Sequence, residues 1–153
     1  MILVSNTTPL SSLASINRID ILTELFGTIH IADAVYQELR NGGFSFDSSL
    51  FSVYPQISSS YQQLLRRSLD EGETQTILLA QSIHADLVLI DERRGNALAK
   101  TTGLNVGGTL SVLITAKQQG IITAVKPFLD AFIANGQWYS PRFVAQFLVS
   151  IGE

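Results

Sequence analysis

The sequence predicts an α/β fold, a three-layer α/β/α sandwich around a central, mainly parallel sheet. Two observations carry the prediction. The run Leu87–Ile90 is apolar at every position, as expected for a parallel strand covered on both faces. Along the whole chain, β-type runs alternate with stretches that repeat apolar residues at helical spacing, the pattern of parallel strands joined by helices.

The stretch from Asp70 to Gly95, DEGETQTILLAQSIHADLVLIDERRG, shows this pattern best and carries the first chemistry. Glu73 shares a helix face with Ile77, Ala80 and His84. It lies where that helix begins. The following strand stops at Asp91, with Glu92 next. Ligands of open α/β sheets bind at the carboxyl ends of the strands. A helix antiparallel to its following strand brings Glu73 and Asp91 to one edge, a candidate metal site. A structural reading stands beside it. Asp70 and Glu73 have the spacing of a capping box, and Asp91 can cap a helix starting near Arg93.

Composition sets the limits. The 153 residues are 46% hydrophobic, with a net charge of −3 and no cysteine. Such a chain fits one domain with a substantial core. It has no disulfide, thiolate metal site or cysteine nucleophile. No apolar run approaches the roughly 18–20 residues of a membrane span, and the N-terminal run lacks the features of a signal peptide. The chain therefore reads as cytoplasmic, with no membrane partner. The negative charge gives no global attraction for nucleic acid but suits an acidic site for divalent cations.

The elements follow in order. Ile2–Ser5 is a strand ending at Asn6, and Thr8 with Pro9 opens a helix to about Ile16. With Thr8 as the cap, Asn6 is free to point elsewhere. A helix over Asp20–Phe26 ends at Gly27. Ile29–Ile31 leads into a helix with the stripe Ile31, Val35, Leu39. Glu38 lies at the margin of that stripe, where a carboxylate needs a task or a partner such as an arginine. Asn41–Ser60 reads as a loop around a weak strand, Phe51–Tyr54. Tyr61–Leu69 is a helix whose Arg66 and Arg67 read as a solvated face. A helix continues from Asn96 to Thr102 and ends at Gly103. Leu104–Val106 is a strand, and Gly107-Gly108-Thr109 turns into the helix Leu110–Gln119, with Thr109 as N-cap. Two C-terminal helices carry the pairs Phe128/Phe132 and Phe143/Phe147, read as core with a homodimer face as the alternative. Ser140 and Pro141 begin the second of them.

The segments VSNTTPL, AVYQELR, DEGETQTILLA, LVLIDERRG and GGTLSVL, in that order, resemble a PIN domain, the metal-dependent ribonuclease fold that includes VapC-type toxins. The similarity is to a subgroup opening V-S-D-T-S-P-L and covers nearly the whole chain. It implies one PIN-like domain over residues 1–153, with catalytic acids Glu38, Glu73 and Asp91. These acids are also the implied metal ligands, with Glu92 where the subgroup often has a second Asp. Asn6 stands where its first Asp is usual. An amide oxygen can coordinate a hard cation but brings no charge. The implied cofactor is Mg²⁺ or Mn²⁺, which suit oxygen ligands. Arg93 and Arg94, directly after these acids, are candidates to face RNA.

The function so implied is a metal-dependent endoribonuclease, the toxin of a toxin–antitoxin pair, with RNA as substrate and an antitoxin protein as partner. Asn6 favours an alternative, a catalytically degenerate PIN domain that binds RNA or protein. A third reading, nucleotide binding at the Gly107-Gly108 turn, lacks both the dinucleotide fingerprint and the Walker lysine.

Overall fold

A computed structural model describes residues 1–153. Its five strands are β1 (Leu3–Ser5), β2 (Ile29–Ala32), β3 (Phe51–Tyr54), β4 (Leu87–Leu89) and β5 (Val106–Gly107). They form one sheet in the order β3-β2-β1-β4-β5, and every pairing is parallel. The chain steps one way across the sheet from β1 to β3 and the other way from β3 to β5. Right-handed crossovers then put the connecting helices on opposite faces, which makes the three layers. The strand order reverses between β1 and β4, and the crevice at their carboxyl ends is the usual ligand position in such sheets.

The helices are α1 (Thr7–Ser15), α2 (Asp20–Phe26), α3 (Asp33–Asn41), α4 (Ser60–Arg66), α5 (Glu71–Ser82), α6 (Arg93–Thr101), α7 (Thr109–Gln118), α8 (Lys126–Ala134) and α9 (Pro141–Ser150). None is long and apolar enough to cross a membrane. A core of 31 buried apolar residues lines both faces of the sheet, including Leu3, Val4, Ile29, Ile31, Val88 and Leu89.

Helix α5 is the central support of the fold. It packs against β1, β2, α3 and α4, and every residue from Gly72 to Ala80 is buried. The striped helix expected from sequence is thus covered all round, with Thr74, Gln75 and Thr76 inside as well. The Gln75 amide accepts from the Ile57 N–H at 2.8 Å and donates to its carbonyl at 3.0 Å. That pair ties the chain before α4 to the core.

Several boundaries differ from expectation. The weak strand Phe51–Tyr54 is a full member of the sheet, paired with β2 along four residues. Strand β5 starts two residues later than its apolar run, because the Val88 and Ile90 N–H groups donate to the carbonyls of Asn105 and Gly107. Phe128 and Phe132 are core, and of the second aromatic pair only Phe147 packs against the core, half-buried. Phe143 is 42% exposed and stacks between Tyr139 and Phe147 on the surface. Ser140 caps α9 as expected, accepting from the Phe143 N–H at 3.0 Å.

Candidate metal centre and adjoining cleft

The site begins with Asn6, whose N–H donates to the Leu89 carbonyl at 2.9 Å and locks the ends of β1 and β4 together. Asn6, not Thr8, is the N-cap residue of α1, yet its side chain caps nothing. The two threonines that follow serve other residues instead. The Thr7 hydroxyl donates to Glu38, and the Thr8 hydroxyl donates to Glu92 Oε1 at 2.5 Å. The amide Nδ2 of Asn6 donates to Glu92 Oε2 at 3.3 Å. Its Oδ1 is buried and accepts from nothing. An acceptor orphaned in this way is costly and invites a donor or a cation.

Glu73 closes the expected capping box. Its N–H donates to Asp70 Oδ1 at 2.8 Å, and its own Oε2 accepts from the Asp70 N–H at 3.0 Å. The remaining oxygen, Oε1, lies only 2.9 Å from where a β-carbon on Gly95 would stand. Glu73 is 7% exposed, at the floor of the cluster, whereas Glu38 and Glu92 sit at its exposed rim. The arginine partner considered for Glu38 is absent; Thr7 takes that place. Loss of hydration raises the pKa of both Glu38 and Glu73. Thr7 opposes the rise at Glu38 and the Asp70 N–H opposes it at Glu73, while Asp70 and Glu92 add to it at both. Glu73 feels Glu38 in addition.

Asp91 is where the structure departs from the sequence expectation. Its carboxylate shares no hydrogen-bond partner with Glu73, and it does not cap α6, whose N-cap is Glu92. Its oxygens are drawn to the start of α7, where the Thr109 N–H donates to Oδ1 at 2.7 Å and the Thr109 hydroxyl to Oδ2 at 2.6 Å. The acid that faces Asn6 is Glu92. The physical reason is the edge pairing of β4 with β5, which brings the α7 turn beside residue 91. Thr109 is accordingly not a cap for its own helix, and the Gly108 and Thr109 N–H groups are already used by Ser111 and Asp91. That leaves little of the phosphate cradle considered for the Gly107-Gly108 turn. Asp91 reaches solvent through a concave cleft. Crowding by protein there raises its pKa, against the pull of the Thr109 bonds. Arg93 and Arg94 are exposed at the first turn of α6.

No three acidic or histidine side chains stand within coordinating reach of one point. Each carboxylate of the cluster is held by a protein donor instead. The donor set still suits a small hard cation. It combines the free Asn6 Oδ1 with carboxylates from Glu38, Glu73 and Glu92, and Mg²⁺ characteristically keeps several waters rather than filling its sphere with protein. Sequence reasoning missed Thr7 and Thr8 as partners of the acids. The only signal for them was two adjacent hydroxyls at a helix start.

A wholly parallel sheet with an acid-lined crevice at its switch point defines a small doubly wound α/β domain. The family model of the PIN domain matches residues 2–153, and the chain belongs to that family. PIN domains form a nuclease superfamily whose members are generally metal-dependent. Among solved structures, the chain is similar to a PilT N-terminus domain protein from the hyperthermophilic archaeon Sulfolobus solfataricus. The match has a TM-score of 0.55 and 18% identity, over 76% of this chain and 93% of the other. It supports the fold alone. Comparison with characterised proteins gives no significant match.

Proposed function

We propose that the protein is a Mg²⁺- or Mn²⁺-dependent endoribonuclease, the toxin of a toxin–antitoxin pair. The observation that carries the nuclease reading is the buried, unpartnered Oδ1 of Asn6 beside acids on α3, α5 and the turn before α6. Asn6, Glu38, Glu73 and Glu92 would hold the cation. When bound, it would supply Lewis-acid activation of water for phosphodiester hydrolysis.

The chain's own residues prepare the site. Thr7 and Thr8 fix the orientations of Glu38 and Glu92. Two carboxylates at roughly 4 Å repel by about 4 kcal/mol at an effective dielectric near 20, so the cluster favours a counter-charge. Arg93 and Arg94, exposed beside Glu92, offer cations to the RNA backbone. The toxin assignment rests on the resemblance to VapC-type proteins and implies an antitoxin partner.

A second reading, a PIN domain that binds RNA without cutting it, is favoured by the neutral Asn6 and by the spread of the acids. Calorimetric titration with Mg²⁺ and Mn²⁺, alongside cleavage of a mixed-sequence RNA, separates the two. Cation binding with cleavage supports the nuclease. RNA binding without cleavage at saturating cation supports the second reading.

A further inference from the structure

A cleft of about 630 Å³ adjoins the acidic cluster, within the roughly 300–1,000 Å³ common for ligand sites. Its walls come from α1, the turn after β4, the start of α7 and the turn over residues 137–139. Thr8 belongs to both spaces, lining the cleft while its hydroxyl donates to Glu92. An occupant of the cleft therefore lies one side chain away from the acids.

Two features fix the chemistry of that occupant. Trp138, the single tryptophan of the chain, stands in the cleft wall with 81% of its surface exposed. On the other side, Asp91 accepts one bond from Thr109 on each oxygen. Each oxygen keeps a further acceptor position, and neither offers a donor. Asn96 adds another acceptor in its amide oxygen, while one of its two N–H groups is held by the Ile90 carbonyl at 3.0 Å. An aromatic face near an acceptor-lined wall suits a planar heterocycle whose edge carries N–H groups.

We propose that this cleft is a nucleobase subsite, in which a base next to the scissile phosphate stacks on Trp138 and directs N–H donors at Asp91 and Asn96. The inference rests on the RNA-cleaving reading above and names the substrate feature it selects. Unpaired bases are commonly read by aromatic stacking and by bonds to their Watson–Crick edge. Guanine fits best, because its ring N–H and amino group are adjacent donors, one for a remaining acceptor position of Asp91 and one for the Asn96 amide oxygen. Uracil flanks its one N–H with carbonyls, which would meet Asp91 oxygen to oxygen.

The lone tryptophan makes the subsite observable without catalysis. Fluorescence of the full chain is titrated with guanosine and uridine 5′-monophosphates in EDTA, and binding of a labelled single-stranded RNA hexamer is followed by anisotropy. The expected result is saturable quenching, about tenfold tighter for guanylate than for uridylate. Trp138→Ala should weaken hexamer binding by about tenfold, Trp138→Phe should recover most of it, and the cation titration should not move. Quenching by guanylate in a protein that never cuts RNA supports the subsite while removing the nuclease reading. Hexamer binding without any quenching overturns the subsite and leaves that reading intact. Equal quenching by the two nucleotides overturns the assigned base, and no binding of any probe overturns the subsite.

Discussion

Glu38 Oε1 stands 2.6 Å from the point that a β-carbon on Gly72 would occupy. The second residue of α5 is thus a glycine that makes room for the carboxylate on α3. What it would strike is the end of a flexible side chain, so the displacement costs little. Replacing a helical glycine with alanine gains about 0.5–1 kcal/mol in backbone entropy. Gly72→Ala should therefore leave stability equal or slightly higher while pushing Glu38 aside and weakening Mn²⁺ binding. Chemical denaturation and calorimetry check the two effects separately. An unchanged Mn²⁺ affinity would remove Glu38 from the cation site.

Asn6→Asp should move stability and cation affinity in opposite directions. Without metal it replaces the 3.3 Å amide bond to Glu92 with two facing carboxylates and should destabilise the fold. A charge at roughly 4 Å is worth on the order of 1–4 kcal/mol between water-like and surface-like dielectrics. Mg²⁺ affinity should rise by tenfold or more, since about 1.4 kcal/mol is a factor of ten. Melting curves with and without Mg²⁺ would show the crossover. A variant destabilised equally in both conditions would mean that residue 6 does not meet the cation.

What could be read from sequence followed the range of the interaction. The Asp70–Glu73 capping box and the boundaries of α2 and β3 depend on residues within a few positions of one another, and they stand as expected. Asp91 and Thr109 are eighteen positions apart, and nothing local announces their meeting. Successive side chains at a strand end point to opposite sides, so the run LVLIDE could not reveal whether Asp91 or Glu92 turns toward Asn6. The bond that turns Glu92 toward Asn6 spans 86 positions. Thr8 was likewise a sound local cap candidate, overridden by a carboxylate from the far end of β4.

Stability should respond to pH at both ends of the acid range, for opposite reasons. Burial first, then neighbouring acids, raise the pKa of Glu38 and Glu73 above the ordinary 4.5. The folded chain then holds these protons more tightly than the unfolded one, so stability is lost as pH rises above 4.5 through the raised values. Glu153 behaves in reverse. Burial opposes it, but Lys117 and the Val125 and Lys126 N–H groups hold its carboxyl down to about 2. Its contribution is present above 4.5 and lost as pH falls toward 2. Urea midpoints across pH in EDTA should peak in mild acid. Mn²⁺ should lift the neutral limb alone, and superimposed profiles would place the cation elsewhere.

Arg93 and Arg94 form no ion pair with any acid of the chain, unlike Arg66, which is held by Glu71 at 2.8 Å. Free guanidinium groups beside Glu92 are available for phosphate. The double variant Arg93→Ala, Arg94→Ala should bind RNA more weakly, with a salt dependence shallower by about one unit of slope per lost phosphate contact. Anisotropy titrations over a range of salt provide the measurement. An unchanged slope would make this pair a solvated helix face.

The neighbours Asp91 and Glu92 should separate stability from cation binding. Asp91→Ala leaves the Thr109 N–H and hydroxyl at the start of α7 without their acceptor, and loss of such a cap costs about 0.5–2 kcal/mol. Its effect on Mn²⁺ affinity should be small, because both of its oxygens are held by Thr109 at the start of α7. Glu92→Ala releases the half-buried Thr8 hydroxyl and one N–H of the Asn6 amide, which the space left by the carboxylate opens to water, yet it removes a charge from the cluster. That variant should fold nearly as well as the natural protein and lose most of its Mn²⁺ binding. Denaturation midpoints and calorimetry on the two variants give a two-by-two comparison. If Asp91→Ala abolishes cation binding while Glu92→Ala preserves it, the cation sits on the α7 side of β4, and Asn6 Oδ1 is not among its ligands.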